Sequence, residues 1–398
     1  MQEKKFRIAV VNSHPIQYFA PLYAYLSRDP DIEVTALYCS DYSLRGAVDP
    51  GFKQAVTWDV DLLSGYRSVF LGKGAKTRRI EGFFSLVCPE LWREIRAGNY
   101  DAVWLHGYGF AAYVLAFFAA KSRGVPVFVR SETHLGLRGS VRRRQLRDFV
   151  LSFAYRFVDG FLAIGSANRA YYRALGVSDQ KIFDVPYTVD NDRFIQSAKL
   201  TIEERLQIRA KYNLPGNTPV VLYASKFMRR KHPDDVIEAV ARLQSQGMKI
   251  ALLMVGTGEM ELELRAKVIE LGVVSCVFGG FVNQAELPRV FAACDVFVLP
   301  AESEPWGLIV NEVMCAGIPV VVAKEVGCVP DLVKDGENGF HMIAGDAGSL
   351  ADAISGILVN DEKRQAMGRR SLEIVKNWSY EQCRVGVKQS MFAMRSNA

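Results

Sequence analysis

The sequence predicts an α/β protein made of two Rossmann-like, doubly wound parallel-sheet domains that face each other across a cleft. Two observations carry that prediction. Short apolar runs rich in β-branched and aromatic residues alternate with helical patterns along most of the chain, the signature of βαβ units. A length of 398 residues suits two cores at about 150 residues per domain and is long for one. The composition is 49% hydrophobic, 23% charged and 11% aromatic, which describes a globular chain and excludes disorder or a collagen-like repeat.

The first series of strands reads Arg7–Val11, Val34–Tyr38, Ala102–Leu105, Val125–Val129 and Phe161–Ile164, with helical patterns at Pro21–Ser27, Pro89–Ala97, Phe110–Ser122 and Arg142–Phe157. The second reads Val220–Ala224, Lys249–Val255, Val274–Phe278, Val296–Leu299 and Pro319–Val322, with helices Asp234–Gln246, Glu259–Leu271, Gln284–Ala292 and Ile309–Ala316. The expected boundaries are therefore 1–195 for the first domain, 196–378 for the second and 379–398 for a tail helix. Thr188–Leu200 forms the joint and Ile202–Tyr212 a lead-in helix. Ligands of open α/β sheets bind beyond the carboxyl ends of the strands, so the chemistry is sought there.

Seven cysteines without a C-x-x-C pair read as free thiols in a reducing, cytoplasmic setting. The apolar part of the N-terminus, Phe6–Val11, is too short for a signal sequence. The longest apolar stretch, Phe110–Ala120, is about half of the ~20 residues a spanning helix needs. Peripheral attachment to the inner membrane face stays open. The net charge of +6 is unevenly placed: residues 1–195 hold 26 Lys and Arg against 19 Asp and Glu, and the remainder 23 against 24. No recognition motif for nucleic acid accompanies the surplus.

Three segments at strand ends can carry chemistry. After Val296–Leu299 comes Pro300-Ala-Glu302-Ser-Glu304-Pro-Trp-Gly307, running into a helical pattern that contains Glu312. On one continuous helix Glu304 and Glu312 would stand roughly 12 Å apart, beyond the about 5–9.5 Å of a glycosidase pair. That spacing suits two hydroxyl-bearing rings bridged by phosphate, with the N–H groups of Gly307, Leu308 and Ile309 as the phosphate seat. On spacing alone, an N-terminal capping arrangement with one exposed glutamate is the simpler account. After Val220–Ala224 comes Ser225-Lys226-Phe-Met-Arg229-Arg230-Lys231-His232, cations fit for a diphosphate leaving group or for a solvated loop. Gly256 and Gly258 follow the next strand, but Glu261 stands where a dinucleotide fingerprint needs a third glycine.

Taken in order, these segments resemble the family-4 retaining glycosyltransferases of the GT-B fold. Glu304-x7-Glu312 is similar to their paired-glutamate motif, Ser225-Lys226-x4-Lys231 to their Gly-Arg-x4-Lys segment, and Gly256-x-Gly258 to the glycines that follow. Gly279-Gly-Phe-Val282, Pro319, Gly327-Cys-Val-Pro330, Asp335-Gly-Glu-Asn-Gly339 and Val185-Pro-Tyr-Thr-Val-Asp190 continue the likeness. The resemblance implies that Glu304 touches the donor sugar, Glu312 the nucleotide ribose, and Lys226 and Lys231 the diphosphate. It implies that His134, in Ser131-Glu-Thr-His134, reaches the donor sugar across the cleft, and that neither metal nor cofactor is needed. Three features depart from the pattern. Lys226 replaces arginine, Tyr187-Thr188 replaces Asn-Gly, and Asn12-Ser13-His14-Pro15-Ile16-Gln17-Tyr18 replaces the usual Gly-Gly loop.

The expected activity is thus retaining transfer of a sugar from a nucleotide-diphosphate sugar to a hydroxyl acceptor, in cell-envelope glycan, lipopolysaccharide or glycolipid synthesis. His14, Gln17 and His106 are the acceptor-side candidates. Arg138, Arg142, Arg143, Arg144 and Arg147 lie beside Phe149, Leu151, Phe153 and Phe157. They suit an anionic lipid surface, a phosphate-bearing acceptor or a plain solvated face. The rival functions are a nucleotide-sugar 2-epimerase of the same fold and a non-catalytic nucleotide-sugar-binding protein.

Overall fold

The computed structural model describes residues 5–46, 48–49, 51, 54–55, 57–71, 80, 82–137 and 141–396. The first sheet holds β1 Phe6–Asn12, β2 Ile32–Tyr38, β3 Arg67–Phe70, β4 Ala102–Leu105, β5 Val127–Val129, β6 Gly160–Ala163 and β7 Ile182–Asp184. Their order is β3-β2-β1-β4-β5-β6-β7, all parallel. The second sheet holds β8 Val220–Ala224, β9 Ala251–Val255, β10 Cys276–Gly280, β11 Val296–Leu299, β12 Val320–Ala323 and β13 Gly339–Met342. Their order is β10-β9-β8-β11-β12-β13, also parallel. Each sheet is wound outward from its centre in both directions. The order reverses between β1 and β4 and between β8 and β11, the places where such sheets open a crevice.

Helices cover both faces of each sheet, so central strands are buried throughout and read as unbroken apolar runs. VVLYA in β8, VFVL in β11 and VVVA in β12 have every residue buried. The strands that apolar runs alone do not reveal, β3, β7 and β13, are all edge strands. They carry Arg67, Asp184 and His341 on partly exposed faces.

The joint is a bonded seam. Asn191 donates its side-chain N–H groups to the carbonyls of Val375, 2.9 Å, and Trp378, 3.0 Å. The helix Tyr380–Ser396 then runs back along the first domain. Arg384 pairs with Asp29 at 2.6 Å and Lys388 with Asp31 at 2.6 Å. Gly386 packs so tightly on β7 that an added Cβ would sit 1.8 Å from the Asp184 carbonyl, which is why glycine stands there.

Candidate active site

The carboxyl ends of β8, β9 and β11 open onto a cleft of about 460 Å³ between the two sheets. His14, Gln17, Lys226, Lys231, Gly256, Glu304, Gly307, Leu308, Ile309 and Glu312 all line it. His134, Gly258 and His106 do not.

Glu304 lies in the loop after β11, and the helix Leu308–Met314 begins only beyond Gly307, whose φ of 92° favours glycine. The two glutamates therefore do not share a helix, and the separation expected for one continuous helix does not apply. The Glu304 carboxylate pairs with the buried Lys231 ammonium and lies 3.6 Å from the Arg230 guanidinium. Burial, reinforced by Arg230 and Lys226, pushes the Lys231 ammonium down to about 7. The Glu304 carboxylate lies against it and opposes that shift. Arg230 also donates to the Ser303 carbonyl at 2.7 Å, tying the two strand-end loops together.

Glu312 sits in the helix, fully buried, and burial pushes its carboxyl up to about 7. Gln284 donates to it at 3.2 Å, and Arg193 from the joint holds Gln284 with bonds of 2.8 and 3.0 Å. Neither Gln284 nor Arg193 belongs to a sequence motif, and no signal in the chain marks them.

The two glycines after β9 differ in task. Gly256 has φ 126° and faces the cleft, where a Cβ would strike the Ser225 carbonyl at 2.1 Å. Gly258 lies behind the cation loop, and its Cβ would meet the Phe227 main chain at 2.5 Å. It lets the loop bearing Lys226 pack down and does not touch the cleft.

The histidines separate in the same way. His134 is buried at the domain seam, with Nε2 3.3 Å from the Glu304 carbonyl and Nδ1 accepting from the Gly136 N–H at 3.1 Å. His106 stacks on Phe19 with centroids 4.2 Å apart and shares a 2.7 Å hydrogen bond with the Tyr23 hydroxyl. It is an aromatic-core residue away from the cleft. His14 lines the cleft, bonded to Ser13 at 2.9 Å, and burial lowers its imidazole to about 4.

Glu132 and Tyr187 also face the cleft, joined by a 2.7 Å bond from the tyrosine hydroxyl. Both stand in motif segments, Ser131–His134 and Val185–Asp190, and nothing in the sequence marks either for a role. Outside the cleft, His232, Asp234 and Asp235 gather within 4.8 Å. Asp235 accepts from the Gly345 N–H at 3.0 Å and Lys267 lies 3.8 Å from Asp234, so protein partners hold this cluster.

In the arginine cluster, Arg138 lies outside the described residues. Arg142 and Arg143 are exposed on the helix Val141–Ala154, whereas Arg147 bonds Asp148 at 2.9 Å and covers the Tyr171 ring. Leu151 is buried, and Phe149 and Phe153 face solvent. Among the described residues no helix is long and apolar enough to cross a membrane.

The first domain matches the family model of a glycosyl transferase 4-like domain over residues 17–188, and the second that of glycosyl transferases group 1 over residues 204–373. The chain belongs to the family-4 type of GT-B glycosyltransferases. This family-4 chain is 36% identical over 167 residues to the lipopolysaccharide core biosynthesis glycosyltransferase LpsE of Rhizobium meliloti, covering 42% of the chain and 47% of the relative. It is 31% identical over 192 residues to a GDP-mannose-dependent alpha-(1-6)-phosphatidylinositol monomannoside mannosyltransferase of Mycolicibacterium smegmatis, covering 46% and 49%. The chain thus spans about half the length of the curated relatives it matches. Anabaena HepE in complex with UDP superposes with a TM-score of 0.76 at 19% identity, over 98% of this chain and 100% of HepE. At that identity the likeness is one of fold.

Proposed function

We propose that the protein is a retaining glycosyltransferase that moves a sugar from a nucleotide-diphosphate sugar to a hydroxyl acceptor in cell-envelope glycan, lipopolysaccharide or glycolipid synthesis. The observation that carries this reading is the Lys231–Glu304 ion pair at the mouth of the open helix start, with the buried Glu312 one helical turn beyond. Lys226, Lys231 and the first N–H groups of the helix receive the diphosphate, Glu304 the sugar hydroxyls and Glu312 the ribose hydroxyls. The relatives' names, and HepE structures holding UDP, UDP with glucose or UDP-glucose, support a nucleotide-sugar donor.

Retention follows from attack on the face the diphosphate leaves. The bond from the sugar C1 to the phosphate oxygen breaks, the acceptor oxygen bonds C1 on that same face, and the acceptor proton passes to the departing phosphate. Lys226 and Lys231 absorb the charge that grows on the leaving group, so the protein's own cations serve where other transferases use a divalent ion. The exposed arginines and phenylalanines of the helix Val141–Ala154 bring this machinery to an anionic membrane surface, where a lipid-linked acceptor is presented.

A thermal-shift panel of UDP-, GDP-, ADP- and CMP-sugars tests the donor reading, since a ligand at 100 times its dissociation constant adds about 2.7 kcal/mol. Release of nucleoside diphosphate in step with a new glycoside establishes transfer. Conversion of the donor to its epimer without acceptor overturns it in favour of a 2-epimerase.

A further inference from the structure

The wall that the first domain turns to the cleft runs from His14 and Gln17 through Tyr42 and Trp58 to Glu132 and Tyr187. Among the described residues it carries no lysine or arginine. His14 is neutral at pH 7, since burial holds its imidazole near 4. The cations lining the cleft, Lys226, Arg230 and Lys231, all come from the opposite wall. Arg130 approaches from behind, 5.1 Å from the Tyr187 ring centroid, and gives its NH2 group to the carbonyls of Val185 and Pro186. It does not line the cleft.

Among the described residues, the one formal charge on the first-domain wall is the Glu132 carboxylate. Its Oε1 accepts from the Tyr187 hydroxyl at 2.7 Å, which fixes the carboxylate and leaves Oε2 and the remaining lone pairs for a ligand. Protein packing raises its carboxyl from the ordinary value, and the Tyr187 hydroxyl and the Arg130 charge favour the anion. The rings of Tyr18, Tyr42 and Trp58 line the same cleft, flat apolar surfaces of the kind that pack on the C–H face of a pyranose. A phosphate or carboxylate on a ring bound against this wall would shed water beside a fixed carboxylate, and among the described residues the cations that could offset this stand on the opposite wall, where the donor diphosphate is read to sit.

We propose that the part of the acceptor entering this cleft is an uncharged sugar ring, selected by Glu132, which accepts hydrogen bonds from its hydroxyls and repels anionic substituents. The inference rests on the glycosyltransfer reading and names the substrate class for that same site.

The test has two stages. The thermal-shift panel first identifies a donor that binds wild-type protein; if no nucleotide sugar shifts it, the glycosyltransfer reading fails and this inference falls with it. With a binding donor, transfer is measured to the octyl glycosides of glucose, galactose and mannose, to the matching octyl uronates and to the matching 6-phosphates. The expected result is transfer to a neutral glycoside with kcat/KM at least about tenfold above its charged counterparts. In Glu132→Gln, which keeps the bond from Tyr187, the ratio of charged to neutral kcat/KM should rise about tenfold. Transfer to charged acceptors as good as to neutral ones overturns the inference. So does transfer to none of the nine despite donor binding, or a ratio that Glu132→Gln leaves unmoved.

Discussion

His134 and Glu304 meet across the domain seam through a main-chain bond: the imidazole Nε2 lies 3.3 Å from the Glu304 carbonyl oxygen. The other ring nitrogen accepts from the Gly136 N–H, so the proton sits on Nε2 and the ring donates to Glu304. Both contacts need the neutral imidazole, and burial lowers its pKa in the same direction. This bond suits His134 to position the Glu304 loop. Replacing His134 with alanine should lower kcat about a hundredfold, the scale seen when one fixed donor is lost from an active site. Donor affinity should change far less, and steady-state kinetics with thermal shift separate the two. His134→Gln can restore the donor and should recover part of kcat. A His134→Ala kcat within threefold of wild type would refute the positioning role.

The ion pair of Lys231 with Glu304 makes the two single substitutions unequal. Loss of one partner from a buried pair costs about 3–5 kcal/mol, because the remaining charge is stranded. Lys231→Met leaves Glu304 near Arg230 at 3.6 Å, so its stability cost should fall below that range. Glu304→Gln leaves Lys231 buried between Arg230 and Lys226. The folded wild-type chain already holds this ammonium near 7 against about 10.4 unfolded, and loss of the Glu304 anion lowers it further. Stability must then rise with pH above 7. Thermal melts of both proteins should rise between pH 7 and 9, with the rise starting at lower pH in Glu304→Gln than in wild type; coincident onsets would refute the assignment. Both variants should lose at least about a hundredfold in transfer.

Glu312 and the histidines oppose one another in their response to acid. The Glu312 carboxyl is held up to about 7 against about 4.3 in an unfolded chain. Between those values the folded state holds more protons, so this contribution falls as pH rises. His14 is held down to about 4 against about 6.5. There the unfolded state holds more protons, so its contribution falls as pH drops. Glu312→Gln removes the first effect. Its melting temperature should exceed wild type by more at pH 7.5 than at pH 5, a difference of order 3 kcal/mol. Scanning fluorimetry across that range checks it, and a constant offset would show that Glu312 does not titrate there.

Gly258 allows a prediction about the cation loop. A Cβ there would meet the Phe227 main chain at 2.5 Å, and main chain cannot rotate away as a side-chain tip can. Gly258→Ala should cost about 1–3 kcal/mol and displace Lys226, raising the dissociation constant for nucleoside diphosphate. Unchanged melting temperature and affinity would mean that the loop has room the structure does not show.

How much of this was legible in the sequence follows from burial. Central strands such as β8 and β11 are covered on both faces, so every residue is apolar and the run announces itself. The edge strands β3, β7 and β13 face solvent on one side, carry Arg67, Asp184 and His341, and give no such run. The site divides in the same manner. Lys231, Glu304 and Glu312 stand in local motifs at strand ends, where position along the chain already implies position at the cleft. Gln284 and Arg193 act through a bond between segments 91 residues apart, and pairing at that distance leaves no local mark. His106 shows the converse: a histidine at a strand end looks available, and only packing reveals that Phe19 and Trp104 stack on the ring and the Tyr23 hydroxyl takes its Nε2.

The helix Val141–Ala154 turns its apolar stripe outward. Phe149 is 74% exposed, Leu146 66%, Phe153 59% and Val150 55%. Their spacing of three, four and seven residues places them on one face, with Arg142 one turn earlier on the same face and Arg143 beside it. A solvated helix would carry polar residues there. An apolar stripe flanked by exposed arginines suits an anionic bilayer interface, each cation adding about 1 kcal/mol near such a surface. The protein should therefore float with phosphatidylglycerol-containing vesicles at low salt and less so with pure phosphatidylcholine. Phe149→Ser with Phe153→Ser should abolish flotation at any salt, since it removes the inserted area. Arg142→Glu with Arg143→Glu should reverse two charges and weaken binding at least tenfold at low salt, with a smaller effect at high salt where the field is screened. Flotation that survives both double substitutions would remove this face as the membrane contact.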